Sequence, residues 1–452
     1  MSETRIPISA FFWIRRAGGG PRRATRVVTL STLFIFLCFL RGFAATVVNK
    51  SWSLTNGIRL VSVYFPGSTN VSIFTFSPMG LASDGPRQAQ WAHLVEHLVI
   101  RSTVPDDLSI ANAETLPDHM RLDFYANISN WKEGLSHHRR WLEDLPFTEQ
   151  SLVAEKPKVK SECDFTTKNL ATHKFALAAW AQGVRHGETS AALKGDVDRA
   201  SLAGIQLHRD AHFAVLSNVV VCVVGGVAPE EVRIEASRQL EPLQSKAKLA
   251  IAVKLHPGKH EMSWDLNARH LVLSWPIAGA EEPAFAALVA TGQRLMMLFY
   301  ADNQLKALTG MTFAGADLRT PEGNFFYVSA SLRPNSSFAE VEKLLAKYVS
   351  DLSAPGTDLS WGPMFGQQLA ENLSSLPDLN TLKAQMPRNV TMEQVEGNLG
   401  LQWGMNEFRY GSQKTSLVGN LRHVTAGDVR QAARKFLSSS NYTSVTLQPG
   451  GH

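Results

Sequence analysis

Trp91–Thr103 reads W-A-H-L-V-E-H-L-V-I-R-S-T, with His93-x-x-Glu96-His97 at its core. Residues three and four apart share one face of an α-helix, so the spacing predicts that His93, Glu96 and His97 project together. Two neutral imidazoles so placed can hold a divalent zinc, and the carboxylate between them reaches a water on the metal. The order H-x-x-E-H is the reverse of the commoner H-E-x-x-H zinc helix. Apolar Trp91, Ala92, Leu94, Val95, Leu98, Val99 and Ile100 surround the polar trio, which predicts a largely buried helix. Five residues also admit a plainer reading, a core helix with two hydrogen-bonded histidines. The rest of the chain has to separate the two.

Working outward, 452 residues leave room for more than one domain with a real core. The composition, 44% hydrophobic and 19% charged, is that of a globular protein. A formal charge of +5 and a pI near 9.0 look basic, but the excess is local. Residues 1–44 hold seven arginines against the single Glu3, which leaves the remainder close to neutral and excludes a nucleic-acid binder by charge. The arginines precede an apolar run, Val27–Leu40, and then small residues around Gly42, Ala44 and Ala45. That order describes a signal for export, and the run is short of the about 20 residues a membrane span needs. Residues 1–45 are therefore expected to be a signal peptide, with an uncleaved anchor at 27–40 as the alternative, which places the protein in a periplasm or outside the cell. Only Cys163 and Cys222 remain beyond the leader, too few for a disulfide framework.

Past the leader, the alternation of Ser51–Ser72 around Asn56-Gly57 predicts a hairpin, and Val71–Phe76 a further strand. Leu122–Ile128 is strand-like, Trp131–Leu145 reads as a polar helix, and helical periodicity runs from Ser151 to Gln182. Pro157 fits that stretch only at a helix's first turn, so it threatens to end a helix between Glu155 and Glu162. His137-His138-Arg139-Arg140 and the pair His208/His212 read as solvated faces. An internal repeat stands at a fixed offset of 223: Ala203-Gly204, Phe213 and Asn218 with the strand Val219–Val224 recur as Ala426-Gly427, Phe436 and Asn441 with Tyr442–Leu447. The repeat divides the body into an N-terminal domain at 46–245 and a homologous C-terminal domain at 246–452, and the second lacks the H-x-x-E-H residues.

These residues together resemble the pitrilysin family of zinc peptidases, including its smaller members such as mitochondrial processing peptidase and bacterial relatives. His93–His97 is followed by L-V-I-R-S-T, similar to the family's continuation. Asn112-Ala113-x-Thr115-x-x-Asp118 resembles the family's N-A-x-T strand, which implies that Asn112 and Ala113 lie on an exposed edge that pairs with a substrate backbone. Glu155-x6-Glu162 resembles two downstream glutamates, the second of them a metal ligand. The resemblance implies an α+β fold of two similar halves, each an antiparallel-rich sheet backed by helices, facing each other across a chamber. It implies zinc held by His93, His97 and Glu162, with Glu96 as general base and Glu155 supporting it. Two imidazoles and one carboxylate leave a fourth position for water, the composition of a catalytic zinc site. Asp164 is the alternative third ligand.

The second half of such proteins supplies an Arg and a Tyr seven residues apart. Here Lys306 and Phe313 stand at that spacing. Lysine lacks the planar guanidinium fork and phenylalanine cannot hydrogen-bond. The expectation is thus a zinc-dependent endopeptidase acting on short or unfolded peptides, the metal-bearing subunit of a heterodimer whose partner brings the Arg/Tyr pair. Its rival is a non-catalytic peptide-binding or structural subunit of the same fold.

Overall fold

Six consecutive apolar residues, Val219–Val224, do not suit a strand with one wet face, because alternate side chains point to opposite sides. A computed structural model describes residues 47–103, 111–143, 146–168, 173–213, 215–245, 254–376, 390–438 and 440–450, and shows how both faces are covered. The first half runs β1 (Val48–Ser53), β2 (Arg59–Tyr64), β3 (Asn70–Ser77), α1 (Trp91–Thr103), β4 (Ala111–Thr115), β5 (Met120–Asn127) and α2 (Trp131–Leu142). It continues with α3 (Glu149–Lys168), α4 (His173–His186), β6 (Ser190–Ala191), α5 (Gly195–Arg199), α6 (Leu202–His212), β7 (Val220–Gly225) and α7 (Pro229–Leu240). The second half runs β8 (Lys259–Trp264), β9 (Arg269–Ile277), α8 (Pro283–Ala301), α9 (Asn303–Leu308), β10 (Thr309–Thr320) and β11 (Gly323–Leu332). It ends with α10 (Phe338–Asp351), α11 (Trp361–Ser374), α12 (Met392–Tyr410), α13 (Lys414–Arg422), α14 (Ala426–Phe436) and β12 (Thr443–Pro449).

The sheets are ordered β1-β2-β7-β3-β5-β4 and β6-β8-β12-β9-β11-β10, and five strands of each trace the same path; at the edge, β1 is antiparallel to β2, whereas β6, from the first half, is parallel to β8. In each, the returning strand pairs in parallel with an early one, β7 with β2 and β12 with β8, while the strands beyond it pair antiparallel. The protein is thus α+β, two six-stranded sheets backed by helices. The repeated unit in the sequence is α6–β7 and α14–β12. The Asn56-Gly57 turn joins β1 to β2, with Gly57 at φ +93° where a left-handed residue is needed.

One face of the first sheet, with Leu60, Ile73, Leu122 and Val221, packs on the helices of its own half through Leu94, Leu98, Leu135, Ile205 and Val232. The other face, with Val61, Phe74, Phe76, Cys222 and Val224, is covered by a helix of the second half, α12, through Leu399, Trp403 and Phe408. The second sheet reverses the exchange. Leu271, Leu273, Phe326 and Val328 meet helices of their own half, whereas Val272, Phe325, Val445 and Leu447 meet α4 of the first. Both crossing helices carry small residues where they seat. A Cβ on Gly400 would fall 2.4 Å from Val224, and one on Gly404 2.5 Å from Phe76. On α4 the contact residues include Ala176, Ala178, Ala179 and Ala181, and Trp180 Nε1 donates to Ser274 Oγ at 2.8 Å.

Three local expectations need correction. Pro157 does not end a helix, because α3 runs through it; Val153, whose carbonyl loses its partner, and Pro157 both lie on the solvent side. His138 is fully buried, its Nδ1 2.8 Å from Thr75 Oγ1, because helical periodicity puts it on the face of Trp131, Leu135 and Trp141. His208 is also buried, 3.0 Å from Asp84 Oδ1. The leader, the anchor at 27–40 and Cys38 lie outside the described residues.

Candidate metal centre

Helix α1 begins under constraint. Gln90, just before it, is fully buried and holds φ +70°, a left-handed backbone unusual for a residue with a side chain. Its Oε1 lies 3.0 Å from His93 Nδ1. Asp84 meets the helix N-terminus, accepting from the Ala92 N–H at 2.9 Å and bonded to His208. Burial pushes the Asp84 carboxyl up despite these partners.

One helical turn on, His97 Nδ1 lies 2.9 Å from Glu155 Oε2. With each Nδ1 engaged, both Nε2 atoms turn to a common point. His93 Nε2 is 3.2 Å and His97 Nε2 3.4 Å from the two carboxylate oxygens of Glu162. Ligand atoms of His93, Glu96 and His97 all lie within 4.8 Å of one another. Thus α3 delivers Glu155 and Glu162 to the same imidazole pair, two turns apart on one face. Asp164 points elsewhere, to Lys194 Nζ at 2.8 Å.

Charge in the site favours a cation. His97 is raised to about 9: burial works against its charged form, but the carboxylates of Glu155, Glu162 and Glu96 outweigh it. Burial would raise Glu162, yet the hydrogen bonds and charges of His93 and His97 hold it well below the usual carboxylate range. Glu155 is lowered in the same way by His97 and Lys158, whose Nζ is 2.5 Å away. Two imidazoles and a carboxylate converging through nitrogen and oxygen are the donor set a catalytic zinc takes, and the Nδ1 partners fix the rings as metal-bound histidines require.

Glu96 is buried beside this point, and its carboxylate accepts a tight hydrogen bond from Thr115 Oγ1. Thr115 ends β4, the edge of the first sheet. Asn112 and Ala113 pair with Asp123 and Leu122 on one side only, so among the described residues the outer side of β4 is open. Gln90 and the role of Thr115 escaped the sequence reading: Gln90 lies just before the helix, outside the motif, and only the fold brings Thr115 of the edge strand to Glu96.

Lys306 and Phe313 have partners of their own, whereas Cys163 borders the site, its Sγ 3.8 Å from Gln90 Oε1. Lys306 is exposed on α9, its Nζ 5.9 Å from the centroid of the Tyr300 ring. Phe313, on β10, stacks on His173 with ring centroids 3.8 Å apart. Arg409 is bonded to Asp317 and lies near Asp118. Cys163 is buried and its thiol pushed up to about 12 by that burial, so it is no nucleophile.

No family model matches the chain, and no curated protein matches it. Solved structures do. A protease from Helicobacter pylori superposes with a TM-score of 0.62 at 16% identity, covering 89% of this chain and 100% of that one. A peptidase M16 inactive domain from Pseudomonas fluorescens gives 0.61 at 14% identity over 89% and 98%. Pitrilysin gives 0.59 at 13% identity, covering 90% of this chain and 45% of its own, so the chain spans about half the length of pitrilysin. At these identities the likeness is one of fold. The chain has the fold of the pitrilysin-type M16 peptidases.

Proposed function

We propose that the chain is a zinc-dependent endopeptidase hydrolysing short or unfolded peptides, and the metal-bearing subunit of a heterodimer. The observation that carries this reading is the convergence of His93 Nε2 and His97 Nε2 on the Glu162 carboxylate, with Glu96 on the same helical turn. His93, His97 and Glu162 would hold the zinc, which when bound supplies a Lewis acid and makes water more acidic. Glu96 accepts the proton given up by the attacking water and returns it to the leaving amine. Glu155 fixes the orientation of His97. The open side of β4, with Asn112 and Ala113, takes the peptide as an added strand, so main-chain bonds bind it without demanding a particular sequence. Lys306 and Phe313 supply neither guanidinium nor phenol, hence the second subunit. The arginine-rich leader favours an exported compartment, with anchoring by residues 27–40 as the alternative.

The test measures zinc content and peptide hydrolysis on the same purified samples. Wild type should carry near-stoichiometric zinc, lost in His97→Ala and Glu162→Gln. Glu96→Gln should keep zinc and lose turnover. Full activity of the isolated wild-type chain would remove the need for a partner. The absence of the Arg/Tyr pair also favours a second reading, a peptide-binding subunit without catalysis. Zinc in wild type with no hydrolysis in any pairing would establish that one.

A further inference from the structure

The two crossing helices end in matching arginines. Arg185 lies in the last turn of α4 and Arg409 in that of α12, 224 residues apart and so one residue from the offset of the repeat. Each reaches the edge hairpin of the sheet that its helix covers. Arg185 donates from Nε and Nη2 to Glu322 at 2.8 and 3.0 Å, and from Nη1 to the Ala82 carbonyl. Arg409 donates from Nη1 to Asp317 Oδ2 at 2.8 Å, and its Nε lies 3.6 Å from Asp118 Oδ2. The hairpins correspond position by position. Leu116 bonds His119 as Thr320 pairs with Gly323, leaving Pro117-Asp118 and Pro321-Glu322 at the tips. Arginine and carboxylate therefore recur as a duplicated lock between the halves.

What the locks lead to differs. The residue before Leu116 is Thr115, whose hydroxyl holds Glu96. The corresponding residue of the other hairpin is Arg319, which donates to the Arg409 carbonyl. The first tip is also gripped from below, by Leu81 N–H on the Leu116 carbonyl at 2.9 Å and Ala82 N–H on that of Pro117 at 2.8 Å. Gly80 makes room, since a Cβ there would meet the His119 nitrogen at 2.4 Å. Asp118 Oδ1 lies 2.7 Å from His119 Nδ1, while Asp118 Oδ2, His119 Nε2 and Arg409 Nε are buried without a hydrogen bond, so Arg409 reaches Asp118 through charge.

We infer that Arg409 is a positioning residue for Glu96, contributed by the second half: by holding Asp118 it fixes the β4–β5 tip, and with it Thr115. The inference rests on the peptidase reading and deepens it. A guanidinium is suited to the task because it stays charged when buried and spans two carboxylates at once.

The experiment compares full-length Arg409→Ala, Arg409→Lys, Asp118→Asn and, as the mirror-image control, Glu322→Gln. Amide exchange by mass spectrometry should rise at residues 111–127 in Arg409→Ala and Asp118→Asn, and at 309–332 in Glu322→Gln. The first two should retain zinc and lose about ten- to a hundredfold in kcat at little change in KM, the scale expected when a reacting group is slightly misplaced. Arg409→Lys should recover part of the loss, and Glu322→Gln should turn over like wild type. Unchanged exchange at 111–127 in Arg409→Ala, or an equal kcat loss in Glu322→Gln, overturns the inference. Should Arg409→Ala fail to fold, Asp118→Asn and Arg409→Lys decide by the same readouts. An active Glu96→Gln would sink the peptidase reading itself, whereas an inactive Glu96→Gln beside a wild-type kcat in Arg409→Ala and Asp118→Asn would sink the positioning role alone.

Discussion

The two halves follow the same path with different helices at its centre. After β3 the chain forms α1, with His93, Glu96 and His97; after β9 it forms α8, F-A-A-L-V-A-T-G-Q-R-L through its middle, which has no histidine or carboxylate. Likewise α3 turns Leu152, Glu155, Val159 and Cys163 inward, while its counterpart α11 buries Gly362, Phe365, Gly366, Ala370 and Leu373. At the positions equivalent to α1 and α3, the second half packs without burying a histidine or carboxylate. Burying imidazoles and carboxylates is costly unless they are paired, so their clustering on α1 and α3 is what the proposed metal site requires and the fold alone does not.

The largest effect should come from separating what the halves share. Residues 47–245 and 254–452 expressed alone should each lack a cover for one sheet face, and neither should give a cooperative unfolding transition. Coexpressed, they should copurify and regain one. A first half that folds alone with native-like amide protection would show that α12 is an accessory and not part of its core.

Next come the seats of the crossing helices. Gly400→Ala drives a Cβ into the β-branched Val224, which cannot move aside, and should cost about 2–3 kcal/mol in denaturant unfolding. Gly183→Ala, the same change on α4, meets the sulfur of Met262 at 2.8 Å. Methionine is flexible, so the cost there should stay below about 1 kcal/mol. Equal costs would mean that the two helices are seated by something other than these contacts.

A smaller change should separate the proposed metal site from its scaffold. Glu155→Ala removes the group that orients His97 and should weaken zinc binding about 10–100-fold in equilibrium dialysis, with the fold intact. Unchanged affinity would make Glu155 a structural acid paired with Lys158.

How much of this could be read beforehand depends on whether one period was enough. His93, Glu96 and His97 lie on one helix, so spacing alone brought them together. The duplicated α–β unit was visible at its offset of 223 because both copies kept an 11-residue helix, a turn and a strand at nearly constant spacing. Glu162 needed the family resemblance, since nothing local distinguishes it from any acid on α3. Glu155 was obscured by Pro157, whose missing bond the local pattern cannot assign to water or to a break. The reciprocal crossing was invisible: an Ala-rich α4 and a Gly-spaced α12 announce helices that seat closely, but not on which sheet. His138 was misread for a simpler reason. It was counted within a run of charge, whereas the spacing to Trp131, Leu135 and Trp141 already put it inside.

That buried histidine and its counterpart give the smallest effect, and the one that tests whether the two cores respond alike. Burial holds His138 of the first half and His270 of the second down to about 3, against an ordinary value of 6.5. Both stay neutral in the fold while the unfolded chain takes up a proton on each as pH falls through 6.5. The unfolded state then binds more protons, so stability rises with pH between about 3 and 6.5 and is lost on acidification across that window. For one histidine the loss from pH 6.5 to 5 should be about 1.5 kcal/mol, read from urea midpoints. His138→Gln, able to keep a bond to Thr75, should lower the pH slope by about one proton over that interval, and His270→Gln should do the same. Unequal slopes would show that one half opens to water before the other, and if His138→Gln alone flattened the curve, the first half would be the part that acid unfolds.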